Sequence, residues 1–468
     1  MSTQHHPQAR PNILKHADPN PIAYEKQVFQ RGLKYQRPPF TFKPLEWERL
    51  AAERMSADAR GYVLGCAGTG ETARRNREAF SRWGVVPRRL GLGVGLGDSS
   101  DGDGNKEGKV KGDGDGEKNV FPNLNTKVLG RNLTCPIACA PVGVQKIMNP
   151  DGEVAAARAA AREGVPFIMS TASSTSIEEV AKASDSGAEE AGGEAERWFQ
   201  LYWPAREHDD ITASMLRRAR RCGFAVLVVT LDTFILGWRP CDMDNGYNPF
   251  LRSDQIGIAI GLTDPVFQSH FQRKHRCPID QNLSAAAAEW TRIVFPGAEH
   301  SLSDIAFLRE HWDGPIVLKG IQSPDNARQI AESGLVDGVV VSNHGGRQAD
   351  GGISSLGALP GVVAAVEAVN ARKGGERGYR KVEVLFDSGI RCGADIAKAM
   401  ALGAKMCLVG RPYVYGLALG GEEGVAHVLR SLLGDLELTL HLSGIRGVGE
   451  GELDRGVLVK EDELFRGV

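Results

Sequence analysis

The chain lacks the features that would place it in several large classes of protein. It has almost no charge imbalance. Lys+Arg 56 against Asp+Glu 58 give a formal net charge of -2, so no basic excess offers itself to nucleic acid and no basic stripe to a membrane surface. It has no long apolar run either. The longest, Gly223 to Trp238, is interrupted by Asp232 and is too short and too charged to span a bilayer. Met1 to Asn20 is polar, with no apolar signal core, and the end Phe465-Arg466-Gly467-Val468 is not a peroxisomal Ser-Lys-Leu address. A cytoplasmic location is the default expectation. Cysteine is sparse: Cys66, Cys135, Cys139, Cys222, Cys241, Cys277, Cys392 and Cys407 are scattered, with no C-x-x-C pair, so free thiols and no metal site are expected. Cys135 and Cys139 flank a predicted strand and fit as small core residues.

With 468 residues, 42% of them hydrophobic, the chain can bury a large core. Residues 97–119 hold one hydrophobic residue, Val110. Such a segment cannot offset its ordering entropy and reads as a disordered insert. Residues 184–196, rich in Ala, Gly and Glu, read as a smaller loop of the same kind. Elsewhere apolar β-rich runs alternate with helical patterns. The runs are Pro136–Ala140, Pro166–Ser170, Trp198–Trp203, Ala225–Thr230, Pro315–Lys319, Gly338–Ser342, Val382–Asp387 and Met406–Gly410. The helices are Glu153–Glu163, Ser176–Ala183, Ile211–Arg221, Pro324–Ser333, Gly393–Leu402 and Val425–Leu438. Eight such strands predict an α/β fold, a closed parallel (β/α)8 TIM barrel over residues 61–445. Residues 1–60 read as an N-terminal arm with a helix from Lys43 to Met55. Residues 235–312 read as a lid between strands four and five, and 446–468 as a C-terminal tail.

The strand ends carry Pro141, Ser170, Gln200 and Tyr202, Thr230 and Asp232, Lys319, Ser342 and His344, Asp387, and Gly410 with Arg411. Polar residues after apolar runs point to one shared site at the C-terminal mouth of the barrel. Within Ser342-Asn343-His344-Gly345-Gly346-Arg347-Gln348, an imidazole suited to proton abstraction precedes a guanidinium that can grip a carboxylate. The segments Asp387-Ser388-Gly389-Ile390-Arg391 and Val409-Gly410-Arg411-Pro412 combine glycines with arginines at the last two strands, the usual phosphate end of a barrel. Either alone would read as a turn beside surface arginines. Gly65-Cys66-Ala67-Gly68-Thr69-Gly70-Glu71-Thr72 imitates a phosphate loop, but Glu71 stands where the loop needs Lys.

The run Ser342–Gln348 resembles the signature of the FMN-dependent α-hydroxy-acid oxidising family. The resemblance covers roughly residues 45–445 and implies FMN as cofactor. It implies that Asp387 holds the ribityl chain with Ser388 beside it, and that Gly389, Arg391, Gly410 and Arg411 hold the phosphate. Lys319 would face the N1–O2 edge of the ring, although a strand-end Lys by itself more often reaches for water. Gln200 and Thr230 would bond the ring edge. The main chain of Ala140, Pro141, Val142 and Gly143 would pass beside it, with Ser170 and Ser342 completing the contacts. His344 would be the base and Asp232 its partner. Arg347 and Arg239 would bracket the substrate carboxylate, and Tyr62 and Tyr202 would donate hydrogen bonds to the carboxylate or the reacting oxygen. Hydride and carbanion routes both stay open.

Further segments, among them Tyr62–Gly68, Leu236–Pro240, Pro249–Arg252, Thr263–Phe267 and Lys319–Gln322, are similar to the lactate 2-monooxygenase branch of that family. That similarity implies L-lactate and O2 giving acetate, CO2 and water, in a homo-oligomer of four chains or more. A simple oxidase that yields the 2-oxo acid and H2O2, or a dehydrogenase using another acceptor, stays open. Asp350 stands where that pattern has Asn, and Cys66 where it has Gly. Two other classes remain to be weighed: a non-redox barrel acting on a phosphorylated substrate, and a flavin-binding protein without catalysis.

Overall fold

Eight apolar runs close into a barrel in the computed structural model, which describes residues 22–88, 121–251 and 256–464. The expected insert at 97–119, the polar start Met1 to Asn20, Arg252 and the last four residues lie outside these. The barrel strands are β1 (Ile137–Cys139), β2 (Phe167–Ser170), β3 (Arg197–Tyr202), β4 (Val226–Thr230), β5 (Ile316–Lys319), β6 (Gly338–Val341), β7 (Glu383–Asp387) and β8 (Cys407–Val409). Each pairs in parallel with the next, and β8 returns to β1, with Leu408 opposite Ala138. Each strand is followed by one or more helices, among them Gly152–Arg162, Ile177–Ala191, Asp209–Arg221, Ile305–His311, Pro324–Ser333, Ser355–Lys373, Gly393–Ala401 and Arg411–Leu442.

The side-chain alternation explains why these strands are apolar throughout. Ala138, Ile168, Trp198, Val226, Val228, Val317, Val340, Leu385 and Leu408 fill the barrel interior. Their neighbours Phe167, Phe199, Leu227, Val229, Leu318, Val339, Phe386 and Cys407 pack outward against the helices. With both faces buried, no polar alternation is possible. The hairpin Thr126–Val128 and Arg131–Leu133 closes the N-terminal end, placing Val128, Leu129 and Leu133 in the same interior cluster. All polar chemistry is therefore left to the opposite end. Among the described residues no helix is long and apolar enough to cross a membrane.

One expectation needs correction, and two segments gain detail. Residues 184–196 are not a loop: the helix runs on to Ala191 and stops at Gly192, which is left-handed at φ 72°. Gly187 inside it marks a close helix contact, since a Cβ there would lie 2.2 Å from the Arg158 carbonyl oxygen. The described residues of the stretch 235–312, expected as a lid or insertion, are largely helical. They contain helices Pro240–Asp244, Ala259–Leu262, Pro265–His275, Leu283–Val294 and Ile305–His311, around buried Phe250, Phe267, Phe271 and Trp290. Within the expected C-terminal tail 446–468, Leu458–Lys460 pairs antiparallel with Trp83–Val85.

Candidate active site

The end of β6 places His344 in a left-handed conformation, φ 57°, which a non-glycine residue adopts at a cost. Neighbours hold it there. Its N–H donates to Ser342 Oγ at 3.0 Å. Its Nδ1 lies 2.7 Å from Asp232 Oδ1 and 3.0 Å from Thr233 Oγ1, both just past the end of β4. With Nδ1 engaged by the carboxylate, Nε2 is the atom left to take a proton. Burial, then the charge of Lys319, push His344 below its ordinary value, against the opposing pull of Asp232.

Lys319 ends β5 between two carboxylates, with Nζ 3.7 Å from Asp232 Oδ2 and 3.6 Å from Asp387 Oδ2. It is 3% exposed. Burial would lower its pKa, but Asp232 and then Asp387 outweigh it and hold the ammonium charged. Burial alone would likewise raise Asp232. Lys319 and His344 overcome that and keep its carboxyl below the usual range. The site thus holds an ionised Asp, a charged Lys and a neutral imidazole in one contact chain.

Arg347 donates from Nη1 to the Gly65 carbonyl at 2.7 Å and lies over the Tyr62 ring, 4.8 Å from its centroid. Burial, then the neighbouring Arg239, push its pKa down to about 10. A cation disfavoured in this way is short of a counter-anion. Arg239 is buried and differently engaged: Nε donates to the Arg347 carbonyl at 3.1 Å and Nη2 to Gln348 Oε1 at 2.6 Å. Tyr202 is held protonated by burial, as a donor, and its ring packs 5.0 Å from that of Phe295.

Several of these groups, though not Asp232 or Arg239, border one cavity of about 860 Å3, including its open mouth. Tyr62, Tyr202, Lys319, His344 and Arg347 line it, as do Ala140 to Gly143. Asp387, Ser388, Gly389, Arg391, Gly410 and Arg411 line it as well. Gly389 is required there. Its φ is 95°, and a Cβ would lie 2.5 Å from the Asn76 carbonyl oxygen. Ser388, at φ 84°, donates to Asp387 Oδ1 at 2.7 Å and accepts the Gly345 N–H at 3.0 Å.

Comparison with known proteins decides what this cavity belongs to. Residues 117–458 match the family described as FMN-dependent dehydrogenase. An FMN-dependent alpha-hydroxy acid dehydrogenase of Schizosaccharomyces pombe is 53% identical over 442 residues, 94% of this chain and 97% of the relative. The chain belongs to the FMN-dependent α-hydroxy-acid oxidoreductases. An L-lactate oxidase of Lysinibacillus sphaericus is 35% identical over 430 residues, 91% of this chain and 95% of that one. The crystal structure of a mandelate oxidase superposes with a TM-score of 0.65 at 30% identity, covering 87% of this chain and 96% of that chain.

As a member of this family the chain is an FMN-dependent enzyme that oxidises α-hydroxy acids, and the cavity fits the cofactor. Among the described residues the buried Lys319 Nζ and Arg347 Nη2 have no hydrogen-bond partner, the signature of groups that await a ligand. The expected contacts divide into two sets. The phosphate-end residues and Ala140–Gly143 border the cavity directly. Ser170, Gln200, Thr230 and Ser342 lie buried beneath, bonded to one another and to the backbone. Gln200 accepts from Ser170 Oγ at 3.1 Å and donates to Thr230 Oγ1 at 2.9 Å. The Arg411 side chain donates to the carbonyls of Val63, Gly65 and Gly345, each at 3.0 Å. It braces the loops of the mouth more than it offers a free charge.

Sequence reasoning missed several participants. Thr233 bridges Asp232 Oδ1 and His344 Nδ1; it follows Asp232 directly, the one signal that could have found it. Gln348 ties the stretch above the site, donating to the carbonyls of Asp232 at 3.1 Å and Ile235 at 2.8 Å. Asn76 and Asn343 exchange reciprocal amide bonds of 2.8 Å that anchor the His344 turn to the N-terminal helix Glu71–Ser81. Their separation of 267 residues hides that pair from any local pattern.

Proposed function

We propose that the chain oxidises an L-2-hydroxy acid, L-lactate first among them, with O2 as acceptor. In this reading Arg347 anchors the substrate carboxylate, with Arg239 behind it, and Tyr62 and Tyr202 donate hydrogen bonds. His344 takes the proton at Nε2 while Asp232 stabilises the imidazolium that forms. FMN bound in the cavity supplies the acceptor for the two electrons that leave the carbinol carbon. The assignment of Asp387, Ser388, Gly389, Arg391, Gly410 and Arg411 to its ribityl-phosphate arm, and of Lys319 and Ala140–Gly143 to its ring, is part of the same proposal. A charged Lys319 favours negative charge on a ring beside it. The observation that carries the reading is the unpaired Arg347 guanidinium nitrogen in the same cavity as an imidazole locked by a carboxylate.

For the products, our reading is the monooxygenase outcome: acetate, CO2 and water. It is supported by the cover over the site. The Gly237 N–H donates to Gln348 Oε1 at 3.2 Å, and the Trp238 carbonyl accepts the Gly68 N–H at 3.0 Å. Such ties favour retention of a 2-oxo acid product. The oxidase names of two relatives support O2. The dehydrogenase name of the 53% identical relative favours a second reading with another acceptor.

The test is the carbon balance of aerobic L-lactate turnover, with an artificial dye as alternative acceptor. Mostly acetate supports retention. Mostly pyruvate with H2O2 makes the chain an oxidase. Turnover only with the dye makes it a dehydrogenase. Reduction of the bound flavin by mandelate but not by lactate moves the substrate to aromatic hydroxy acids.

A further inference from the structure

Val144 stands in the left-handed region at φ 50°, a conformation a β-branched residue rarely adopts. It closes the turn whose members Ala140, Pro141, Val142 and Gly143 line the cavity. Backbone of this kind persists only where the surroundings over-determine it. Here the surroundings are three side chains that do not border the cavity and are fully buried: Gln145, Glu153 and Tyr413. Gln145 Nε2 donates to the Val142 carbonyl at 3.0 Å and to the Tyr413 hydroxyl at 3.1 Å. The Tyr413 hydroxyl donates to the Ala140 carbonyl at 3.0 Å. The backbone N–H of Gln145 donates to Glu153 Oε1 at 3.0 Å.

Glu153 is a buried carboxylate with no ion pair among the described residues. Donors take the place of water. Besides Gln145 these are the Ser174 N–H at 2.8 Å, the Ser174 hydroxyl, and the Thr175 hydroxyl at 2.9 Å. The carboxylate thus clamps the loop after β1 to the loop after β2. In a trans peptide the carbonyl and the N–H point to opposite sides. With the Val142 carbonyl turned to Gln145, the Gly143 N–H faces away from Gln145.

We propose that Gln145, Glu153 and Tyr413 are positioning residues for the cofactor. They fix the Ala140–Val144 turn, and through it the Val142–Gly143 peptide, and so set how tightly and at what potential FMN is held. The proposal rests on the reading of this cavity as the FMN site. None of the three touches substrate.

Two variants and a control test it, with readouts that need no turnover: the FMN dissociation constant of the apoprotein, and the midpoint potential of the loaded protein. Gln145→Leu removes both side-chain donations. It is expected to weaken FMN roughly tenfold, since it leaves the Val142 carbonyl unpaired and the Tyr413 hydroxyl with only its bond to Ala140, and to move the midpoint potential. Tyr413→Phe keeps the ring and is expected to move both quantities in the same direction by less. Unchanged affinity and potential in folded variants would overturn the proposal, even if the melting temperature falls. If Gln145→Leu does not fold, Tyr413→Phe decides alone. Lys319→Met is measured alongside. A potential that moves with Lys319→Met and not with the other two removes only this proposal. A potential that moves with none of them removes the placement of FMN as well.

Discussion

Two glycine-rich rims border the mouth of the barrel, and they hold different things. The rim at 387–391 and 410–411 meets a cavity lined by Arg391 and backed by Lys319. The rim at 65–72 looks more like a phosphate loop in sequence and leads into the helix Glu71–Ser81, yet its anion is the protein's own. Asp350 Oδ2 accepts from Thr69 N–H and Thr69 Oγ1, both at 2.7 Å, and Oδ1 accepts the Thr72 N–H at 2.9 Å. Those bonds hold the Asp350 carboxyl well below the usual range. Glycine permits close approach of an anion at either rim. What decides the occupant is whether the donors are already satisfied.

The comparison is sharpened most by the group whose proton acceptor is left free. His344→Ala is expected to retain FMN and to cut the rate of flavin reduction by substrate about 10^2- to 10^4-fold, read by stopped-flow absorbance. In the wild type, a pKa held below the ordinary value keeps the imidazole neutral, and able to accept, to lower pH. The acid limb of kcat/KM is therefore expected below pH 6.5; a limb above that value would contradict the burial argument. Arg347→Lys keeps a charge but loses the planar grip. It is expected to raise KM about tenfold or more, with a smaller change in kcat. An unchanged KM would place the carboxylate elsewhere. Arg391→Ala removes a cation from the rim proposed to hold the cofactor phosphate and is expected to weaken FMN roughly tenfold in a titration of the apoprotein.

Asp350→Asn, at the self-satisfied rim, gives the smallest effect. FMN affinity should stay within about twofold. Melting temperature at pH 7 should fall slightly, because an amide NH2 would face the Thr69 donors. Asp350 has a depressed folded pKa, so its contribution is present above the unfolded value and is lost as pH falls through the folded one. The difference between variant and wild type is therefore expected to narrow below about pH 4. Loss of FMN in this variant, as large as that in Arg391→Ala, would break the distinction between the two rims.

Much of the barrel was legible because burial on both faces writes its strands as runs such as Val226–Thr230 and Gly338–Val341. The helix Ser355–Lys373 was not, because Gly357, Pro360 and Gly361 interrupt its pattern. Pro360 is the sixth residue of the helix, past its first turn, so its missing N–H leaves the Leu356 carbonyl without its helical partner. The long helix after β8 was legible only from Val425, because its first half is separated by a bend at Gly420 and Gly421. Residues 184–196 misled for the opposite reason: their small residues serve helix contact.

The order of strands, the chemistry of their ends and the family were determined by the sequence alone. Apolar runs must be buried, and a His, two Asp, a Lys and several Arg must end somewhere polar. Only the tertiary structure decided which donors remain unpaired. Arg411 and Arg391 look equivalent in sequence, but Arg411 spends its guanidinium on three carbonyls, whereas Arg391 donates to one, that of Ile390, and lies 3.6 Å from Glu48. Asp350 and Asp232 are both carboxylates near His344 in the chain or the fold, but one caps a helix and the other orients the imidazole. Gln145, Glu153 and Tyr413 acquire a role only by meeting across up to 268 residues. Hydrogen bonds saturate at short range, so the free groups of a site are known only once every neighbour is in place.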